Sequence, residues 1–193
     1  MCVLFRLLFI AYGEDKDLLP YRFNGLYLKR SLKAKAKDLL ELDGSEEDFG
    51  DDDSWWQEIR SIFHAVNKGN KSWGVPRYNG GLFSQDSRES SVGASLEEVS
   101  LPDRIFGPAL QYLLLVPTAE GVTGPVDFRS LGVREFGTIY EGLLESELSI
   151  AETDLTIETA GTNKDVYRPC KDGEEAIVPR GKIYLHNSSG ARK

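Results

Sequence analysis

Several places in the sequence gather residue types that could do chemistry. The hexapeptide Tyr78-Asn79-Gly80-Gly81-Leu82-Phe83 has adjacent glycines of the kind that let a backbone close around a phosphate. A Walker loop needs a lysine and a hydroxyl straight after its last glycine, and here Gly81 is followed by Leu82 and Phe83. A dinucleotide fingerprint needs a strand before it and a helix after it, whereas this stretch sits in a polar loop. Pro102-Asp103 would open a PD-(D/E)xK nuclease site, but no acid and lysine one residue apart follow it to complete the metal site. Glu135, Glu141 and Glu145 share one helical segment and could pair as acid and base; carboxylates on an exposed helix face are more often simple solvation.

Nucleophilic and metal chemistry find even less. No serine lies in a nucleophile elbow, and Cys170 has only the distant His186 as a histidine partner. Cys2, Cys170, His64 and His186 have no paired spacing for zinc, and two cysteines near opposite ends form no disulfide framework, which fits a reducing cytoplasm. The segment 43–53, DGSEEDFGDDD, has seven acids in eleven residues. It fits no calcium-loop frame and reads as a solvated loop. A net charge of −8 argues against a chain that grips nucleic acid by itself, because such binding rests on Lys and Arg neutralising phosphates. No catalytic, cofactor-binding or metal-binding residue is expected in this chain.

The elements that would position any site are mostly helical. MCVLFRLLFIAY is too short to span a bilayer, which needs about 20 apolar residues, and has no basic residue ahead of its apolar run. It reads as a buried helix over 2–12, ended by Gly13, with Arg6 on its one open face. A second helix is expected from about Asn24, as cap, to Leu42, with Gly44 as its stop. A third is expected to be capped by Ser54, with Trp55, Ile59, Ile62, Phe63 and Val66 as its apolar stripe and His64 facing solvent. A Gly- and Ser-rich loop covers 68–95, and the helix after it is kinked or split at Gly107-Pro108 and ended by Pro117.

LGVREFGTIYEGLLESEL is the most regular helical pattern, with Phe136, Ile139, Tyr140, Leu143, Leu144 and Leu148 on one side. Gly137 and Gly142 each cost about 1 kcal/mol relative to alanine inside a helix, so close packing against one of them is expected. Beyond it, DLTIET and KIYLHN alternate at period two around a loop holding KDG and read as a two-stranded ribbon.

In order along the chain, LLFIAYGEDKDLLP, GVPRYNGGLF, LGVREFGTIYEGLLE and GKIYLHNSSGARK form a series. It resembles the helical region that precedes the methyltransferase domain of type IIG restriction-modification enzymes and of the related BREX phage-defence N6-adenine DNA methyltransferases. The resemblance covers nearly the whole chain. It implies a mainly α fold: a helical connector domain over 1–148 with a small C-terminal antiparallel β element over 149–193 that leads into a methyltransferase domain.

In that family the cofactor is S-adenosylmethionine, with Mg a further option in parents that carry a nuclease. The partners are the methyltransferase and target-recognition domains of the same cytoplasmic parent, and DNA is reached through that parent. The terminal Arg192-Lys193 matches the residues just before a Gly-Ser-Tyr-Tyr-Thr-Pro-like cofactor motif, which is absent here together with the Asn-Pro-Pro-Tyr-like tetrapeptide of the adenine pocket. The chain alone is thus expected to be inactive. Asn79, Gly80, Gly81, Leu82 and Phe83, and Arg134, Glu135, Gly137, Tyr140 and Glu141, are expected to be structural motif residues. The first group would make a tight turn, with Asn79 and a glycine at φ > 0 and Leu82 and Phe83 plugging the helical core. Two features depart from the family: Gly107-Pro108 interrupts a helix that is usually continuous, and the acidic 43–53 insert is unlike a DNA-facing surface. The competing expectation is a stand-alone acidic protein-interaction module without catalysis.

Overall fold

The computed structural model describes residues 1–43, 49–78, 80–117, 123–160 and 164–187. It is 45% helical and 17% strand, with the strands in small antiparallel pairs, so the architecture is helix-rich and mixed α/β rather than mainly α. The chain divides into two compact units, Met1–Gly132 and Val133–Lys193. The division therefore falls before the regular helix that was expected to belong to the first domain.

The first unit is organised by α1 (Cys2–Asp15), which runs straight through Gly13 and buries Leu7, Leu8, Ile10 and Ala11. Arg6 does not face solvent as expected; it is 1% exposed. Its Nε donates to the Leu82 carbonyl at 2.8 Å and its guanidinium lies over the Phe63 and Phe83 rings. A cation with delocalised charge and several donors can be buried this way because carbonyls and ring faces replace its water.

The long second helix expected over 24–42 is two helices. Asn24 does cap α2 (Gly25–Leu28), its side chain accepting from the Leu26 and Tyr27 N–H groups. The chain then breaks and restarts as α3 (Leu32–Asp43). The break is fixed from outside: the buried Glu14 carboxylate accepts from Leu32 N at 3.0 Å, Lys33 N at 3.1 Å and the Tyr27 hydroxyl at 2.9 Å. Ser31 Oγ takes the Ala34 N–H, so the free donors of the first turn of α3 are met by side chains. Burial pushes the Glu14 carboxyl up from 4.5 to about 7, while those donors and the nearby Lys33 pull it the other way. Gly44, the expected stop of this helix, lies outside the described residues.

The next helix, α4 (Ser54–Lys68), is the core of the unit and buries Trp56, Ile59, Ile62, Phe63 and Val66. Trp56, and not the expected Trp55, fills the first position of the stripe. Ser54 is the first residue of the helix instead of its cap, and Asp53 at the cap position makes no side-chain cap bond. Asp103 supplies one instead, its Oδ1 accepting from Trp55 N at 3.0 Å. A 3-10 turn, Gly81–Phe83, and a short α5 (Ser91–Ser95) follow.

α6 (Asp103–Leu114) runs as one helix through Pro108 and is not split there. The proline stands in the helix interior, where the bond to the Arg104 carbonyl is lost. The helix ends at Leu114, and Pro117 closes the strand β1 (Leu115–Pro117), which pairs antiparallel with β2 (Thr123–Pro125).

In the second unit α7 (Val133–Leu144) leads into β3 (Ser146–Ile150), so the last residues of the expected helix are strand. DLTIET and KIYLHN do form strands, β4 (Leu155–Ala160) and β6 (Ile183–Asn187), but they do not pair with each other. The strand β5 (Lys164–Pro169) pairs with β4, and β6 pairs with β3 in the register Leu148↔Leu185 and Ile150↔Ile183. Ala151, Leu155 and Val178 form a small core against Tyr167 and Tyr184. The reason is visible in SELSI, which alternates as a strand and supplies the partner that KIYLHN needs.

Among the described residues the expected close packing at the glycines of α7 is not seen: a Cβ at Gly137 or Gly142 meets nothing within 4 Å, and α7 has no buried residue. The described glycines that leave no room for a side chain are Gly93, where a Cβ would stand 2.1 Å from the Ser84 carbonyl oxygen, and Gly107, where it would stand 2.3 Å from the Phe49 ring. Gly137→Ala and Gly142→Ala should therefore each stabilise the second unit by up to about 1 kcal/mol, while Gly93→Ala costs the first unit roughly 1 to 3 kcal/mol by overpacking. Thermal melts of the three variants check this, and a lowered melting temperature for Gly137→Ala or Gly142→Ala would overturn the open placement of α7.

Candidate functional site

A polar cluster beside α4 joins side chains from three separate stretches of the chain, with the buried Arg60 Nε left without a hydrogen-bond partner among the described residues. Arg60 and His64 stand one turn apart, and both meet Glu97, which follows α5. The Arg60 guanidinium donates to Glu97 Oε2 at 2.9 Å and to the Glu97 backbone carbonyl at 3.0 Å. His64 Nε2 is 3.1 Å from the same carboxylate oxygen, and the Gln85 amide nitrogen lies 2.8 Å from both His64 Nε2 and Glu97 Oε1. His64 is 40% exposed, so it is a shared member of this network and not the purely solvent-facing side chain expected.

Burial acts to raise the Glu97 carboxyl. The Arg60 bond, the charges of His64 and Arg60 and the Gln85 bond outweigh it and hold the group below the usual carboxylate range. Next to the cluster is a groove of about 460 Å³, lined in part by Arg60, Ser61, His64, Lys68, Asn70 and Trp73.

A carboxylate holding a histidine invites comparison with a hydrolytic triad. The serine is in reach of the helix face but not engaged: Ser61 Oγ donates to the Glu58 carbonyl at 2.6 Å, an i−3 backbone bond. In the second unit Ser149 Oγ is 2.8 Å from His186 Nε2, yet the other ring nitrogen lies 2.7 Å from the Asn187 carbonyl instead of a carboxylate. That pair is a cross-strand contact of the β3–β6 ladder. Asp103, the candidate nuclease acid, is used as the external cap of α4. Among the described residues no group of three or more His, Cys, Asp or Glu side chains is placed to hold a metal. Of the acidic 43–53 segment, the described part fixes the start of α6: Asp103 N donates to the Asp52 carbonyl, Arg104 N to that of Gly50, and Asp51 pairs with the Arg104 side chain.

The expected motif residues fall into two groups in the two units. Gly81, Leu82 and Phe83 form the 3-10 turn, with Phe83 buried between Phe9 and Phe63, at 5.3 and 5.9 Å between ring centroids. The positive φ expected of a glycine here is not found: Gly80 is extended, at φ −129°, Gly81 has no positive φ, and neither would have a Cβ within 4 Å of a neighbour. Asn79 lies outside the described residues. Arg134, Glu135, Gly137, Tyr140 and Glu141 all lie along α7, with Tyr140 44% exposed.

The α4 cluster itself was not foreseen. A usable signal was present, because no Asp or Glu occurs from Ile59 to Gln85 in a chain of net charge −8, while Arg60, Lys68, Lys71 and Arg77 fall within that run. Comparison of the chain with protein-family models, curated proteins and solved structures finds no match.

Glu97→Gln tests the cluster. Because the folded carboxyl is held below its ordinary range, its contribution is present above that range and is lost as pH falls through the folded value. The variant should be less stable than the parent by about 1 kcal/mol at pH 7, a modest figure for a partly exposed ion pair, and the gap should close in acid. Denaturant titrations at neutral and acidic pH check it; a gap that persists unchanged in acid would remove the ionic part of the argument.

Proposed function

We propose that this chain is the non-catalytic helical connector of an S-adenosylmethionine-dependent N6-adenine DNA methyltransferase of the type IIG restriction-modification or BREX kind, acting in the cytoplasm. The observation that carries the reading is that two of the resembling segments pack on each other and the other two are joined through β3. In the first unit LLFIAYGEDKDLLP packs on GVPRYNGGLF: Phe9 meets Tyr78 and Phe83 edge to face, and the Tyr78 hydroxyl donates to the Leu18 carbonyl at 2.6 Å. In the second unit LGVREFGTIYEGLLE runs into β3, whose partner β6 lies in GKIYLHNSSGARK. Two of the resembling segments thus pack on each other in the first unit, and in the second the helical segment is joined in sequence to the strand that pairs with β6.

On this reading the enzyme activity, the cofactor and the DNA contacts belong to the parent protein. Leu148, Ile150 and Ile183 share one face of the β3–β6 ladder and are each more than 60% exposed. The methyltransferase domain that follows in the family would cover that face. The same exposed face favours the second reading, a stand-alone acidic module that docks on another protein. Among the described residues no helix is long and apolar enough to cross a membrane.

The genomic reading frame separates the two. The connector reading predicts that the frame continues past Lys193 into a Gly-Ser-Tyr-Tyr-Thr-Pro-like motif and an Asn-Pro-Pro-Tyr-like tetrapeptide; a stop codon directly after Lys193 would contradict it and favour the docking module. Calorimetry on the isolated chain should detect no S-adenosylmethionine binding, and micromolar binding would place a cofactor site where the connector reading has none.

A further inference from the structure

The groove beside α4 has a composition found in neither of the other sizeable grooves described next. Arg60, His64 and Lys68 come from successive turns of one helix face, and Asn70 and Trp73 face them from the loop closed by the Asn70–Val75 bridge. No carboxylate side chain lines it. A groove of about 410 Å³ on the other side of Lys68 is walled in part by Asp86 and Glu89, and one of about 550 Å³ in the second unit by Glu174 and Glu175.

The side chains of the α4 groove are also held in place. Glu97 anchors Arg60 and His64 from behind, and the Arg30 guanidinium stands 4.9 Å over the Trp73 ring. Lys68 is exposed and has no ion-pair partner among the described residues.

We propose that this groove binds a nucleoside phosphate, the phosphate against Arg60, His64 and Lys68 and the planar base on Trp73. Three features support that ligand class. The volume lies in the range of small-ligand sites, about 300 to 1,000 Å³. An acid-free wall lets an anion approach a chain that is otherwise strongly acidic. An indole held by its neighbours is a ready stacking platform that tolerates any base. The same chemistry is offered by a free nucleotide and by a single-stranded oligonucleotide. The inference stands apart from the connector reading and does not depend on it.

The test is calorimetry on the full chain at low salt with ATP, inorganic triphosphate, adenosine and a short single-stranded oligothymidylate. ATP or the oligonucleotide should bind saturably, and the tighter of the two identifies the source. Lys68→Ala and Trp73→Leu should each weaken binding about tenfold. Lys37→Ala, on the exposed face of α3, should leave it unchanged. If Trp73→Leu melts early, Trp73→Phe takes its place and should retain most of the binding, while Lys68→Glu, at an exposed position, should abolish it. The proposal is overturned if neither ATP nor the oligonucleotide saturates at about millimolar concentration. It is equally overturned if triphosphate alone binds as tightly as ATP, or if the Lys68 and Trp73 variants bind like the parent.

Discussion

The first unit depends on charges that α1 carries into the interior. Arg6, Glu14 and Asp15 are all buried on one helix, and each fastens a different distant segment. Arg6 holds the carbonyls of Leu82 and Ser84; Glu14 takes the first N–H groups of α3; Asp15 accepts from Phe128 N at 2.8 Å and pairs with Lys33 at 2.6 Å. Burying an ion without partners is costly, and breaking such a set by removing one member typically costs about 3 to 5 kcal/mol. The arrangement is therefore close to all-or-none. Once α1 is seated, the 3-10 turn, the start of α3 and the segment after β2 are all fixed.

The same device recurs at α4, whose first turn is capped by Asp103 from the start of α6. Two helices thus begin where a carboxylate from another element meets their free N–H groups, and this explains the main differences between the sequence reading and the fold. Asn24 and the apolar stripe of α4 were legible because a local cap and a 3.6-residue period are written in neighbouring residues. The break at Lys29-Arg30-Ser31 was not legible, since Leu28, Leu32 and Ala36 continue one helical period across it and the breaking group is Glu14, far away in sequence. Arg6 was placed outside for the same reason: its acceptors lie 76 and 78 residues further on.

In the second unit the strand patterns of β4 and β6 were readable from their period of two. Their pairing was not, because SELSI also fits the end of a helix. Of the α4 cluster, the acid-free run was written in the sequence. Its convergence with Glu97 was set by the path of the chain after α5. That Arg60 and His64 share one carboxylate could be seen only in the fold.

The result is a first unit in which the buried charges of α1 are consumed internally, while on α4 Arg60 and His64 share Glu97 and Lys68 faces solvent. Structural acids cap helices, and the groove proposed to accept an anion, whose described lining holds no acid, lies along the helix that buries Trp56, Ile59, Ile62, Phe63 and Val66.

Native-state hydrogen exchange at the Leu32, Lys33 and Phe128 amides tests the central claim most directly. If Glu14 and Asp15 fix these segments as described, the three amides exchange only with global unfolding of the first unit, at the same free energy as the Ile62 amide in the middle of α4. Exchange of Leu32 and Lys33 at the rate of ordinary, frayed first-turn amides would contradict it.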